Sequence, residues 1–182
     1  MNDAVTGQLC LACGLCCDGT LFHDVKLHTS DDATKLKAFG LPIRTPNAKL
    51  PISKFPQPCA ALCADRTCRA YADRPLQCHV FECGVFKGLT AGRIEFPTAL
   101  RLVTQARQRA DKVRRLLRDL GDTAEGVSLS ERFRRVQRRM ESSPLDEETA
   151  ECYADLTLAV HELNVLTHEK FYTKADEEPI TP

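Results

Sequence analysis

Cys10-Leu-Ala-Cys13-Gly-Leu-Cys16-Cys17 places four thiols within eight residues. The two-residue gaps allow a tight turn to direct successive sulfurs to one point, as a soft metal ion or an iron–sulfur cluster requires. Gly14 can adopt the positive φ that such a turn needs. The stretch therefore predicts a metal site around which the surrounding chain is organised.

The cysteines are concentrated in the first half of the chain, where nine of the ten lie, five of them between Cys59 and Cys83. Disulfides would suit a small secreted scaffold, but the N-terminus leads into cysteines rather than an apolar run, so we expect no signal peptide. Buried inert cysteines would be scattered at the spacing of core residues. Metal ligation is therefore the favoured interpretation, with reduced thiols and a cytoplasmic location.

The sequence is compatible with either zinc or an iron–sulfur cluster. Zinc takes four thiolates, typically as two close pairs, and Cys10/Cys13 with a pair such as Cys78/Cys83 would serve. An iron–sulfur cluster also takes four thiolates, and three cysteines spaced by two residues resemble the first part of the bacterial ferredoxin run, although its fourth ligand and proline are missing. The consecutive spacing favours an iron–sulfur cluster slightly over zinc.

Other residues near the cysteines have weaker claims to the site. Three arginines, Arg66, Arg69 and Arg74, could offset the negative charge of four thiolates. His79, beside Cys78, is expected to make an ordinary hydrogen bond, and the same interpretation is favoured for His23 and His28. Cys152 lies on an apolar helical stripe, where it is expected to be a small core residue.

We expect four segments along the chain. Residues 1–8 are predicted to be a flexible tail, 9–90 a cysteine module, 97–172 a helical region and 173–182 a disordered acidic tail.

Within the module, the patterns are short. Alternation over 21–27 predicts a strand, and Ser30 to Gly40 has the parts of a short helix, with Ser30 as its N-cap. The proline-rich stretch 41–58 predicts an extended connector, with room for one edge strand at 50–55. Pro75 can begin another short helix.

The helical region has a stronger pattern. Apolar residues recur at three and four from Leu100 to Leu120, before Gly121, which predicts a helix of about six turns. Similar stripes over 129–140 and 145–170 predict two more. The fold class is therefore α+β, mainly α: a loop-rich, metal-stapled cysteine module followed by an antiparallel helical hairpin or three-helix bundle.

Charge is unevenly distributed, although the formal net charge is zero. Residues 98–140 carry 12 basic and five acidic side chains, whereas residues 141–182 carry two basic and 11 acidic ones. Two neighbouring helical elements that attract each other explain this best, so nucleic-acid binding is not favoured. No apolar run is long enough to span a bilayer, and we expect no membrane partner. A protein partner that binds the helical region is compatible with this pattern.

The ordered cysteine pattern resembles the YkgJ family, whose members are described as zinc- or iron-chelating cysteine-cluster proteins. The resemblance covers roughly residues 9–86 and rests on four successive motifs: Cys10-x2-Cys13-Gly14-x-Cys16-Cys17, Cys59-x2-Leu62, Cys68-x2-Tyr71-x2-Arg74-Pro75-x2-Cys78 and Phe81-x-Cys83.

The resemblance implies a ligand set of eight cysteines: Cys10, Cys13, Cys16, Cys17, Cys59, Cys68, Cys78 and Cys83. Cys63 falls where the family pattern is variable. A flagellin lysine methylase carries a domain of this kind, so three functions are open: a bacterial metal-binding protein, a metal- or cluster-dependent protein-modifying enzyme, and a zinc-stapled interaction module. No methyl-donor motif is recognisable, and no catalytic residue is assigned.

Overall fold

Two long helices dominate the C-terminal half of the computed structural model, which describes residues 3–45, 47, 52–142 and 144–173. They are α5 (Phe96–Asp119) and α7 (Glu147–Lys170), with α6 (Leu129–Glu141) between them in the chain. Asp146 caps α7 by accepting the Thr149 N–H at 2.8 Å. All three C-terminal helices predicted from apolar spacing are confirmed.

Helices α5 and α7 run antiparallel. Arg109 Nη1 donates to the carbonyl of Glu162 at 2.6 Å, and Asp119, at the end of α5, acts electrostatically on Cys152, near the start of α7. All three helices contribute to one apolar core, whose buried members are Ala110, Val113, Leu117, Leu120, Leu129, Val136, Leu156, Ala159 and Leu163. This arrangement confirms the predicted α+β, mainly α class with a helical C-terminal region.

Two further helices belong to the same compact unit as these three. They are α1 (Asp3–Cys13) and α4 (Gly84–Thr90), which pack on α5 and on each other. A tail was expected through residue 8, but the helix begins at Asp3. We call this group of five helices the helical unit. It includes both ends of the predicted 9–90 module. The predicted domain boundaries stay a prediction.

A second compact unit, the cysteine unit, comprises Gly14–Glu82 and Glu125–Ser128. Its two strands, β1 (Asp24–Lys26) and β2 (Lys54–Pro56), pair antiparallel with Val25 opposite Phe55. The first strand lies within the predicted 21–27, whereas β2 overlaps the predicted 50–55 only at Lys54 and Phe55. Leu50 and Pro51 lie outside the described residues. The tail beyond residue 173 also lies outside them.

Short helices complete the cysteine unit. Helix α2 (Ala33–Ala38) is capped by Asp32 rather than by Ser30, and Gly40 follows it at φ +85°. A 3₁₀ turn (Tyr71–Asp73) leads to α3 (Leu76–Val80), for which Pro75 is the N-cap.

The cysteine unit has an apolar core of its own. Its buried members are Val25, Leu27, Leu36, Leu41, Phe55, Ala61 and Ala70, and three cysteines pack against them: Cys59, Cys68 and Cys78. The two-stranded sheet and the short helices thus hold these thiols at the edge of a packed interior. No helix in the described ranges is long and apolar enough to cross a membrane.

Candidate metal centre

Four of the predicted ligands converge in the cysteine unit: Cys17, Cys59, Cys68 and Cys78. Burial raises the pKa of Cys17 to about 12, and the negative charges of the other three sulfurs add to the effect. Burial likewise raises the pKa of Cys78 to about 12, with contributions from Cys59 and Cys68. The four sulfurs therefore lie within electrostatic reach of one another, and we call them the four-thiol set.

Cys17 is positioned by a tight turn. Its N–H donates to the Gly14 carbonyl at 2.9 Å, and Gly14 has the predicted positive φ, +68°. The Cys17 carbonyl in turn accepts the Cys59 N–H at 2.7 Å. This single backbone bond brings together two cysteines that lie far apart in sequence.

A bridged loop connects Cys59 to Cys68. Leu62 and Cys68 form an antiparallel bridge, and the Arg69 N–H donates to the Ala61 carbonyl at 2.9 Å. The intervening turn is closed by the Cys63 N–H, which donates to the Thr67 carbonyl at 2.8 Å.

Backbone amides also act on the Cys59 sulfur. Burial raises the pKa of Cys59, whereas hydrogen bonds from the N–H groups of Ala61 and Leu62 lower it. Amide donors of this kind stabilise thiolates and tune metal–thiolate sites. The loop therefore presents Cys59 as a supported ligand.

Cys78 is carried by α3, which two side-chain bonds anchor to the rest of the unit. The Lys26 N–H, on β1, donates to Gln77 Oε1 at 2.7 Å, and the Leu76 N–H donates to Asp31 Oδ1 at 2.9 Å. These anchors lie far from the cysteine motifs in sequence, and no sequence signal marked them.

Two of the three predicted arginines act on the four-thiol set. Arg69 lowers the pKa of Cys59, and Arg74 lowers that of Cys78. The guanidinium carbon of Arg74 lies 4.3 Å from the centre of the Tyr71 ring, and its Nε donates to His79 Nδ1 at 3.2 Å. His79 thus makes the ordinary hydrogen bond that was expected of it.

The donor chemistry fits a thiophilic metal. Burial and neighbouring sulfurs raise the pKa values of Cys17, Cys59 and Cys78, and a bound divalent cation would oppose that effect by stabilising the thiolates. Within the described part of the chain, however, no three His, Cys, Asp or Glu side chains are already arranged to hold a metal ion. Coordination would therefore require the sulfurs to close in around the ion.

Residues 9–96 match the family model described as "CxxCxxCC: Putative zinc- or iron-chelating domain". Over this stretch the chain is similar to that domain family. The match covers slightly less than half of the chain and is consistent with the resemblance to the YkgJ family, which rests on the same cysteines. No curated protein and no solved structure shows significant similarity to the chain.

The remaining predicted ligands of the matched stretch are distributed over both units. Cys10 and Cys13 lie three residues apart on α1, so the first spacing is helical rather than a tight turn, which corrects that expectation. Cys83 is the N-cap of α4, and its Sγ accepts the Phe86 N–H at 3.4 Å. These three belong to the helical unit, on two helices that pack together, whereas Cys16 belongs to the cysteine unit.

The other side chains considered from sequence have structural surroundings. His28 Nδ1 forms a 2.8 Å hydrogen bond with Ser30 Oγ, and the His23 side chain is exposed. Cys152 packs, partly buried, against the core of the three long helices, as expected. Arg66 Nη1 lies 3.6 Å from Asp18 Oδ2, so this arginine forms an ion pair with a carboxylate.

Proposed function

We propose that this chain binds zinc or iron through the thiolates of its CxxCxxCC domain, and that the four-thiol set forms one metal site. The supporting observation is the electrostatic effect that the sulfurs of Cys17, Cys59, Cys68 and Cys78 have on one another, although they come from three separate segments of the chain. Four thiolates are the complete donor set of a structural zinc site and of an iron–sulfur cluster.

The surroundings of the set support thiolates rather than thiols once a cation is bound. Four thiolates around a divalent ion carry a net charge near −2. The Ala61 and Leu62 amides, together with Arg69 and Arg74, oppose that charge on the sulfurs of Cys59 and Cys78. A metal ion that supplies the remaining positive charge would complete the site.

The choice between zinc and iron is not decided by this set. The consecutive spacing that favours an iron–sulfur cluster belongs to Cys10, Cys13 and Cys16, none of which is in the four-thiol set. Together with Cys83 they complete the eight-cysteine ligand set, which we retain as part of the proposal.

Elemental analysis of protein purified without oxygen tests the proposal. Cys17→Ser and Cys78→Ser should each lower the zinc or iron content substantially, since loss of one thiolate leaves an incomplete coordination shell. Cys152→Ser is the matched control, because Cys152 lies in the helical core. Its metal content should equal that of the wild type.

Circular dichroism on the same samples separates loss of metal from loss of the fold, since the long helices provide most of the signal. Unchanged metal content in both variants, with the helices intact, would contradict the proposed site. Broad absorption near 400 nm with acid-labile sulfide identifies a cluster, whereas a colourless zinc protein excludes one.

A further inference from the structure

One face of α7 is exposed along its whole length and follows a heptad. Exposed residues recur at alternating intervals of four and three: Glu147, Glu151, Ala154, Leu158, His161, Val165 and His168. Leu158 is 53% exposed and Val165 is 42% exposed, so this face presents two large apolar side chains one heptad apart. We call Ala154, Leu158, His161 and Val165 the α7 seam.

The seam borders a shallow, open groove on the surface of α7. This groove has a volume of about 640 Å³ and is lined by Leu145, Ala150, Tyr153, Ala154, Thr157, Leu158 and His161. A groove beside a heptad stripe is what the apolar side chains of a second helix fill when two helices pack.

An acidic row follows the other side of the seam. Its members recur every seven residues and are Glu148, Asp155, Glu162 and Glu169. Three of them, Asp155, Glu162 and Glu169, each lie four residues after an exposed residue of the heptad face. They are therefore neighbours of that face on the helix surface. Among the ion pairs of the described residues this row contributes one, Glu169 with Lys170 at 3.7 Å.

The acidic row argues against a second copy of this chain as the occupant. Antiparallel self-pairing would place acidic rows from both copies side by side, as Asp155 against Glu162, and parallel pairing would place Glu147 and Glu151 against themselves. A helix with basic residues beside its apolar stripe would instead neutralise the acidic row and fill the groove.

We propose that the α7 seam is a docking surface for a basic amphipathic helix of a partner protein. The partner lays apolar side chains along Leu158 and Val165 and places Lys or Arg against the acidic row. This inference goes beyond metal binding and does not depend on which metal the cysteines hold.

Fluorescence anisotropy on the full chain, purified with its metal, tests the proposal. The probe is a labelled 24-residue peptide with Leu at heptad positions a and d and Lys at e and g. It should bind at least about tenfold more tightly than the same peptide with Glu at e and g, and Leu158→Glu should weaken it about tenfold. Asp155→Lys should weaken it as well.

Leu100→Glu is the matched control, since Leu100 is an exposed leucine of α5, 37% accessible. Its affinity for the basic peptide should be that of the wild type. Equal weakening by Leu100→Glu and Leu158→Glu, or equal binding of both peptides, would overturn the proposal. Sedimentation of the wild type supplies a further test: a dimer that Leu158→Glu dissociates would show that a second copy covers the seam, contrary to the proposal.

Discussion

At the scale of single residues, the pKa of Cys17 helps to distinguish a metal ligand from a reactive nucleophile. Reactive cysteines have lowered pKa values because cationic neighbours or helix N-termini stabilise the thiolate. The pKa of Cys17 is raised to about 12, and the groups that act on it after burial are other sulfurs and Asp18. A raised pKa is typical of an unreactive thiol, so it agrees better with the proposed role of Cys17 as a metal ligand than with a role as a nucleophile.

A buried ion pair between Arg132 and Asp122 lies in the helical unit. Arg132 is 2% exposed, and its Nε donates to Asp122 Oδ1 at 2.9 Å, while Arg135 Nη2 donates to Oδ2 at 3.0 Å. Asp122→Ala should lower the free energy of unfolding by about 3 kcal/mol, because it leaves a buried guanidinium unpaired. Urea denaturation measures the loss.

Asp111→Ala is the control for that experiment, since Asp111 is half exposed and pairs with Arg114 at 2.9 Å on the helix surface. Its cost should stay below about 1 kcal/mol. Similar costs for the two substitutions would show that the Asp122 pair is not an important stabilising contact.

The same carboxyl predicts an acid sensitivity. Burial alone would raise the pKa of Asp122, but hydrogen bonds from Arg132 and the Ala124 amide, with the charges of Arg132 and Arg135, hold it below the ordinary value of 3.8. Its stabilising effect is therefore complete above about pH 4 and is lost as the pH falls through the lowered value. In urea titrations from pH 6 to 3, Asp122→Asn should lose less stability than the wild type; parallel losses would be contrary evidence.

Several residue roles were predictable because they depend on local chemistry. Gly14 has the positive φ that its turn demanded, and Arg69 and Arg74 act on nearby sulfurs as their sequence neighbourhood indicated. The grouping of Cys17 with Cys59 was not predictable, since it depends on one backbone hydrogen bond between residues that have 41 others between them.

At the scale of elements, periodicity determined what could be foreseen. Helices α5 and α7 carry long apolar stripes, so their existence and type followed from sequence. Helix α1 was missed because its apolar and small residues lack a clear stripe and the cysteine spacing suggested a turn. Helix α2 is capped by Asp32 rather than by Ser30, because both residue types can cap a helix and the two lie only two residues apart.

The start of α4 is a sensitive contact between elements. Gly84 N–H donates to the Phe171 carbonyl at 2.8 Å, and a Cβ on Gly84 would lie 2.6 Å from the Lys170 carbonyl oxygen. Gly84→Ala should therefore lower the free energy of unfolding by about 1–3 kcal/mol, because backbone must move. Thermal denaturation would show a lower midpoint.

Gly7→Ala is the matched glycine control. Gly7 lies inside α1, with no atom within 4 Å of an added Cβ. Alanine there should stabilise the protein by about 0.5–1 kcal/mol, since glycine is a poor helix former. If Gly84→Ala were equally stabilising, Gly84 would not lie as close to the Lys170 carbonyl as described here.

At the scale of the whole molecule, each unit has an apolar core of its own, but the proposed four-thiol site lies in the cysteine unit alone. Metal removal should therefore act unevenly. After treatment with a chelator, amides of residues 14–82 should exchange hydrogen faster, whereas α5 and α7 should keep most of their protection. Uniform loss of protection would mean that metal supports both units equally, contrary to this assignment.

X-ray absorption at the metal edge of the protein, purified without oxygen, tests thiolate coordination most directly. We predict stoichiometric zinc or iron with a first shell of four sulfur atoms at about 2.3 Å. In Cys17→Ser the sulfur count at that shell should fall, whereas in Cys152→Ser it should stay unchanged. A first shell of nitrogen and oxygen, or protein without stoichiometric metal, would contradict the central claim.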